Sequence, residues 1–404
     1  MVRAFLLLCC VLMAVPGVAA TDHIVRIGVL TSPLGTSADA GGEGSVLAAQ
    51  MAVEDFGGAV LGKPVEIVVA DHQNRPSVGA TVARRWLEHG GADVIVDVPN
   101  ASVAEAVRQT VREHHGLMIQ AQAGILAHPE CQSNIITWAF DGDLVTRNVL
   151  ATLKERERSS WFLLSPDTRH SAETAAAIQD VMHGVGVKLV GEHKFALPAA
   201  AESNPEPTLA EILLAHNGAV IFLNAGPAAT KSVALRLHRE LAGRRLPQIY
   251  SQSYLALREN KNLTEIADEL IYALPYRRDN AAMIALSERF AARADGRTPT
   301  MLQIGIYAAV RHYLRSVRAL GTDRPGELVG AKMQELRIDD PIFGKGAILP
   351  DGRRLGDVYV TSYRTADGRD HVMGRRSYED MARAARIAPC GKPLESPPET
   401  ASPD

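Results

Sequence analysis

The stretch from residue 24 to residue 56 reads IVRIGVLTSPLGTSADAGGEGSVLAAQMAVEDF. Residues 24–30 are apolar except for Arg26 and Gly28, as in a strand covered on both faces by other elements. A loop rich in Gly, Ser and Thr follows over 31–42. Val46, Leu47, Met51, Val53 and Phe56 then recur at helical spacing. Strand, small-residue loop and helix make one βα unit.

The unit repeats along the chain. Residues 65–70 (VEIVVA), 94–98 (VIVDV) and 117–121 (LMIQA) read as strands, with helical stretches over 78–89 and 101–113 between them. Mostly apolar strands alternating with helices predict a parallel sheet. A second series begins with a helix over 148–158. Strands follow at 161–164, 188–194, 219–223, 248–252 and 270–274, with helices at 172–185, 209–216 and 230–241. Helices over 280–293, 301–320 and 326–336 come next, then a hairpin of 343–348 and 357–363 around Pro350-Asp351-Gly352. The fold class is therefore α/β, and the doubled series implies two similar lobes.

Composition narrows the function. The 404 residues carry 43 basic and 46 acidic side chains, a net charge of −3. Such a balance lacks the basic face of a nucleic-acid binder. Arg3, an apolar run over 4–15, a break at Pro16-Gly17 and small residues at 18–20 make a cleavable export signal, so the mature chain is expected to start near Thr21. Cleavage would remove Cys9 and Cys10 and leave Cys131 and Cys390. In an oxidising compartment these two can pair as a disulfide; two buried free thiols are the alternative.

Enzyme signatures are weak. Residues 57–63 (GGAVLGK) begin like a phosphate loop, but Pro64 follows where Ser or Thr is needed, and the segment runs from helix to strand. Neither HExxH nor GxSxG occurs. Asp71-His72-Gln73-Asn74 reads as a polar cluster that shapes a loop. No catalytic residue, metal site or cofactor is expected.

Ligand contacts are expected at the C-terminal ends of the strands, where helix starts present free amides and a positive dipole end. In the first series these are Asn100, Ala101 and Ser102, then Ala121, Gln122, Ala123 and Gly124. In the second they are Asp167, Thr168 and Arg169, then Asn224 and Gly226, then Tyr276 after the return strand. Arg277 is a further candidate for pairing with an acidic ligand.

Several segments together resemble the periplasmic solute-binding proteins of ABC importers, of the leucine/isoleucine/valine-binding type. They are VRIGVL at 25–30, GEGS at 42–45, AAQMAVEDFGG at 48–58, LGKPVE at 61–66, ADHQN at 70–74, VIVDVPN at 94–100, PTMLQIG at 299–305 and DPIFGKG at 340–346. The resemblance implies two Rossmann-like lobes joined by three crossover segments. It places one lobe at 21–142 plus 276–342 and the other at 143–275 plus 343–390, after a signal peptide at 1–20 and before a flexible tail at 391–404. It implies a periplasmic monomer that captures a small organic solute by hinge closure and delivers it to ABC permease subunits. The chain departs from the family pattern at Gln122, Thr168 and Ser171, which points to an altered or larger ligand. A sensory or accessory binding protein of the same fold is the alternative.

Overall fold

A computed structural model of the chain describes residues 23–33, 41–123, 133–196, 209–216, 218–241, 248–252, 269–364 and 368–380. The expected signal at 1–20, the tail at 391–404, Gly124, Cys131 and Cys390 lie outside these residues.

The first lobe is built on a six-stranded sheet of β1 (Val25–Thr31), β2 (Ala59–Val60), β3 (Lys63–Asp71), β4 (Val94–Asp97), β5 (Met118–Ala123) and β6 (Ile135–Asp141). The order is β2-β3-β1-β4-β5-β6, parallel except for the β2–β3 pair. Helices α1 (Gly42–Phe56), α2 (Pro76–Glu88) and α3 (Ala101–Glu113) connect successive parallel strands. The middle strands are apolar because both sheet faces are covered. One face packs on α1 and a long later helix, the other on α2 and α3.

The second sheet contains β7 (Ser160–Pro166), β8 (Lys188–Phe195), β9 (Val220–Leu223), β10 (Ile249–Tyr250), β11 (Glu269–Leu274), β15 (Val358–Arg364) and β16 (Arg369–Arg376). Its order is β16-β15-β11-β10-β9-β7-β8, with β15 and β16 antiparallel. Helices α4 (Gly142–Lys154), α5 (Arg169–Val185), α6 (Leu209–Ala215) and α7 (Pro227–Glu240) cover it. Helices α8 (Ala281–Arg293), α9 (Met301–Leu320) and α10 (Gly326–Glu335) return to the first lobe. There α9 packs its apolar face beside α1. A Thr300–Gln303 capping box starts α9 and Gly321 ends it in a left-handed conformation.

The strands expected at 343–348 and 357–363 do not pair with each other. Instead β13 (Gly344–Ile348) turns into β14 (Arg354–Gly356), with β12 (Ile338–Asp340) on its other side, while β15 enters the second sheet beside β11. Gly352 explains the early turn. It has φ +82, and a Cβ there would lie 1.9 Å from the Ile135 carbonyl oxygen.

The chain passes between lobes three times: from β6 into α4, from β11 into α8, and from β14 into β15. Asp141 closes the first passage by accepting the Leu144 amide at the start of α4. Arg353 is tied to β6 through the bond from the Thr137 amide to the Gly352 carbonyl. Its side chain grips Asp351 at 2.7 Å and reaches Asp141 at 3.7 Å and Asp143 at 3.9 Å. An ionic cluster therefore joins two of the three passages. Beneath them Trp138, Tyr276 and Phe343 pack edge-on, with the Arg354 guanidinium 4.6 Å from the Phe343 ring centre.

Candidate functional site

In the first sheet β3 and β4 lie on opposite sides of β1, although α1 and α2 connect these three strands in sequence. The C-terminal ends of β1 and β4 flank this topological switch point, the usual ligand position in open α/β sheets. Thr31 and Ser32 come from β1, and Asp97 to Asn100 from β4.

Asn100 starts α3. Its Oδ1 accepts the amides of Ser102 at 3.1 Å and Val103 at 3.2 Å and the Ser102 hydroxyl at 2.8 Å. Its Nδ2 donates to Asn74 Oδ1, and Asn74 Nδ2 donates to Ser32 Oγ, both at 3.4 Å. A polar chain thus crosses the ends of three strands. Ala101 and Ser102 are exposed and Ala121 is buried. Gln122 donates from Nε2 to the Pro99 carbonyl at 2.8 Å, joining the β5 end to the β4 loop. Ala123 ends β5. The Ser102 and Val103 amides, open in a bare helix start, are already satisfied by the cap. The Asn100 and Ser102 side chains stay at the rim of this loop.

In the second lobe Thr168 starts α5. Its Oγ1 accepts the Ser171 amide at 3.1 Å and donates to Ser171 Oγ at 2.8 Å. Asp167 is exposed and donates its amide to the Phe195 carbonyl. Asn224 directs Nδ2 to Ser165 Oγ, the Ser171 carbonyl and Thr174 Oγ1 at 2.9–3.2 Å. That bond set fastens the β9 end to β7 and α5. Gly226 is exposed and precedes α7, which starts with proline and carries no side-chain cap. The described candidates of each lobe gather at one end of its sheet.

Three candidates have other engagements. Arg169 is 95% exposed and pairs with Glu173 along its own helix. Arg277 is exposed and pairs with Asp279. Tyr276 is 2% exposed, its ring edge-on to Phe343 at 5.5 Å. Its place in the core beneath the crossover makes it a packing residue there.

The loop after β3 takes its shape from its own side chains. Asp71 accepts the Gln73 amide and His72 Nδ1 accepts the Asn74 amide, while Gln73 and Asn74 adopt φ of 52 and 53. Burial pushes the His72 imidazole towards its neutral form. Among the described residues no three His, Cys, Asp or Glu side chains group as a metal site.

Sequence reasoning missed Asp97. Its carboxylate is 0% exposed, and among the described residues neither oxygen makes a well-formed hydrogen bond. Burial pushes its pKa up to about 6, and the facing hydroxyls of Thr31 and Ser45 hold the rise in check. A Cβ on Gly41 would lie 2.8 Å from Asp97 Oδ2, so a larger residue at the α1 N-cap would push the carboxylate aside. The available signal was a lone charge inside the apolar run VIVDV.

Two lobes of parallel α/β sheet with three passages between them define the type I periplasmic binding fold. The family described as periplasmic binding protein matches residues 24–369, and the chain belongs to it. A branched-chain amino acid ABC transporter periplasmic ligand-binding protein from Burkholderia xenovorans LB400 is 26% identical, with TM-score 0.78 over 88% of this chain and 96% of that one. A periplasmic binding protein from Burkholderia mallei is 25% identical, with TM-score 0.75 over 89% and 96%. An ABC transporter solute-binding protein from R. palustris, solved with benzoate, is 16% identical with TM-score 0.71 over 88% and 96%, a likeness of fold. No curated protein matches the chain. No helix among the described residues is long and apolar enough to cross a membrane.

Proposed function

We propose that this chain captures a small organic solute, an amino acid or a related carboxylate or amide, for an ABC-type importer. The supporting observation is the placement of polar side chains at strand ends in both lobes: Asn100 and Ser102 in the first, Thr168 and Asn224 in the second. Hinge closure over the three passages would bring the two sets onto one solute and exclude water. Hydrogen bonds strengthen when water leaves. The Burkholderia xenovorans relative, a branched-chain amino acid ligand-binding protein, supports this solute range.

Closure follows the solute only if the closed form binds it better than the open form does. The closed monomer would then dock on permease subunits at the inner membrane. Export with cleavage near Ala20 and a Cys131–Cys390 bridge complete the proposal. Intact mass of the exported protein, before and after reduction, checks both. Thermal melting against amino acids, aromatic carboxylates and amides tests the binding role. A ligand at a hundred times its Kd stabilises the fold by about 2.7 kcal/mol and raises Tm accordingly. A panel with no shift would count against solute capture.

A further inference from the structure

Asp97 has no evident structural partner, although it lies under the loop read above as ligand surface. It is fully buried, and among the described residues neither oxygen makes a well-formed hydrogen bond; the facing Thr31 and Ser45 hydroxyls act on it and no charged side chain does. An ion so placed carries a desolvation cost of several kcal/mol, which the facing Thr31 and Ser45 hydroxyls offset only in part. A neutral acid avoids that cost and gains an O–H that the facing Ser45 or Thr31 hydroxyl oxygen can accept.

The backbone makes this position sensitive. Asp97 and Val98 both adopt left-handed φ, +82 and +49. Such residues store about 1–3 kcal/mol each and persist only when their surroundings hold them. The holding contacts include the Val98 amide on the Leu30 carbonyl at 3.0 Å and Gln122 on the Pro99 carbonyl. Pro99 and Asn100 follow directly.

We propose that Asp97 is a positioning residue for the Pro99–Ser102 loop and holds it best in its neutral form, so that ionising it loosens the loop and weakens solute capture. The consequence for capture rests on the function proposed above; the consequence for the loop does not. The titratable groups on the surrounding elements are Glu43 on α1, Asp71 and His72 at the β3 end, and Arg108 on α3, which is bound to Gln120 and Glu105. None of these acts on Asp97. His72 can reach the loop through Asn74, so pH dependence that remains without the Asp97 carboxylate reports on His72.

The test follows the carboxyl carbon of Asp97 by NMR, with amide exchange at residues 100–103, from pH 5 to pH 8. Wild type should show the carboxyl titrating near pH 6. Protection of the Ser102 and Val103 amides, corrected for intrinsic exchange, should fall about tenfold as it ionises. Asp97→Asn should hold the protection constant. Titration with the surface carboxylates, or an equal loss of protection in D97N, would overturn the proposal. For any solute that raises Tm, Kd should be about tenfold weaker at pH 8 than at pH 5 in wild type and unchanged in D97N. A pH-independent Kd in wild type would overturn the link to capture. If no solute binds, the proposed function fails while the exchange data still decide the role of Asp97. The wild-type titration needs no variant to fold.

Discussion

The side-chain amide of Gln303 donates to the carbonyl of Gly41 at 2.9 Å, across 262 residues of sequence. The same side chain accepts the Thr300 amide through Oε1 at 3.0 Å. One residue therefore completes the α9 cap and holds the start of α1. Gly44 leaves the room, since a Cβ there would lie 2.1 Å from Gln303 Nε2.

This arrangement predicts a non-additive pair. Gln303→Ala should cost about 1–2 kcal/mol, because it removes two buried hydrogen bonds. Gly44→Ala displaces the same amide, so its cost overlaps. Urea unfolding of both single variants and the double variant measures the coupling, which should exceed about 0.5 kcal/mol. Simple additivity would show that Gln303 does not hold the helix start.

The pH dependence of stability should contain opposed contributions. Burial raises Asp97 and Asp141 to about 6 from an ordinary 3.8, with Arg353 opposing the shift at Asp141. Between pH 4 and 6 the folded state then binds protons that the unfolded state has released. Stability from these groups is full below pH 4 and is lost as pH rises through 6, by up to about 3 kcal/mol each. Burial lowers His312 to about 4 from 6.5. Its contribution is present above pH 6.5 and is lost as pH falls towards 4. Asp97→Asn should therefore stabilise the protein at pH 7.5 and leave it nearly unchanged at pH 4.5, read by urea unfolding at both values. Greater destabilisation at pH 7.5 than at pH 4.5 would contradict the assigned shift.

The ionic cluster at the passages separates two kinds of charge. Arg353→Gln leaves the buried Asp351 and the half-buried Asp141 without their cation. It should cost about 2–4 kcal/mol. Asp143 is more exposed, bonds Arg147 on its own helix at 2.9 Å and lies 3.9 Å from Arg353. Asp143→Asn should cost under about 1 kcal/mol. Equal losses in denaturant midpoint would show that Arg353 acts through Asp143 alone.

Much of the fold was legible because covered parallel strands must be apolar and must alternate with helices. VIVDV and WFLL could be read from pattern alone. The hairpin was misread because the turn from β13 into β14 is set by tertiary packing of Gly352 against Ile135, which leaves no local period. Strand β6 was missed. IITWAFD is a short apolar run bounded by Ser133-Asn134 and Asp141-Gly142, signals that could have marked it. The strand-end polar groups were found by their position before helices. Their bonding was not, because a cap and a ligand contact use the same residue types, as Asn100 and Thr168 show. Tyr276 illustrates the reverse: a residue just past a strand end can face the core. Asp97 was passed over as one polar letter in a strand, since burial without a partner is a property of three dimensions.

The central claim is a two-lobed chain that closes on a solute. Small-angle X-ray scattering of the mature protein, with and without a solute selected by its thermal shift, tests it most directly. The account predicts a smaller radius of gyration in the bound state, since lobe closure compacts the molecule. A saturating solute that leaves the radius unchanged would contradict closure.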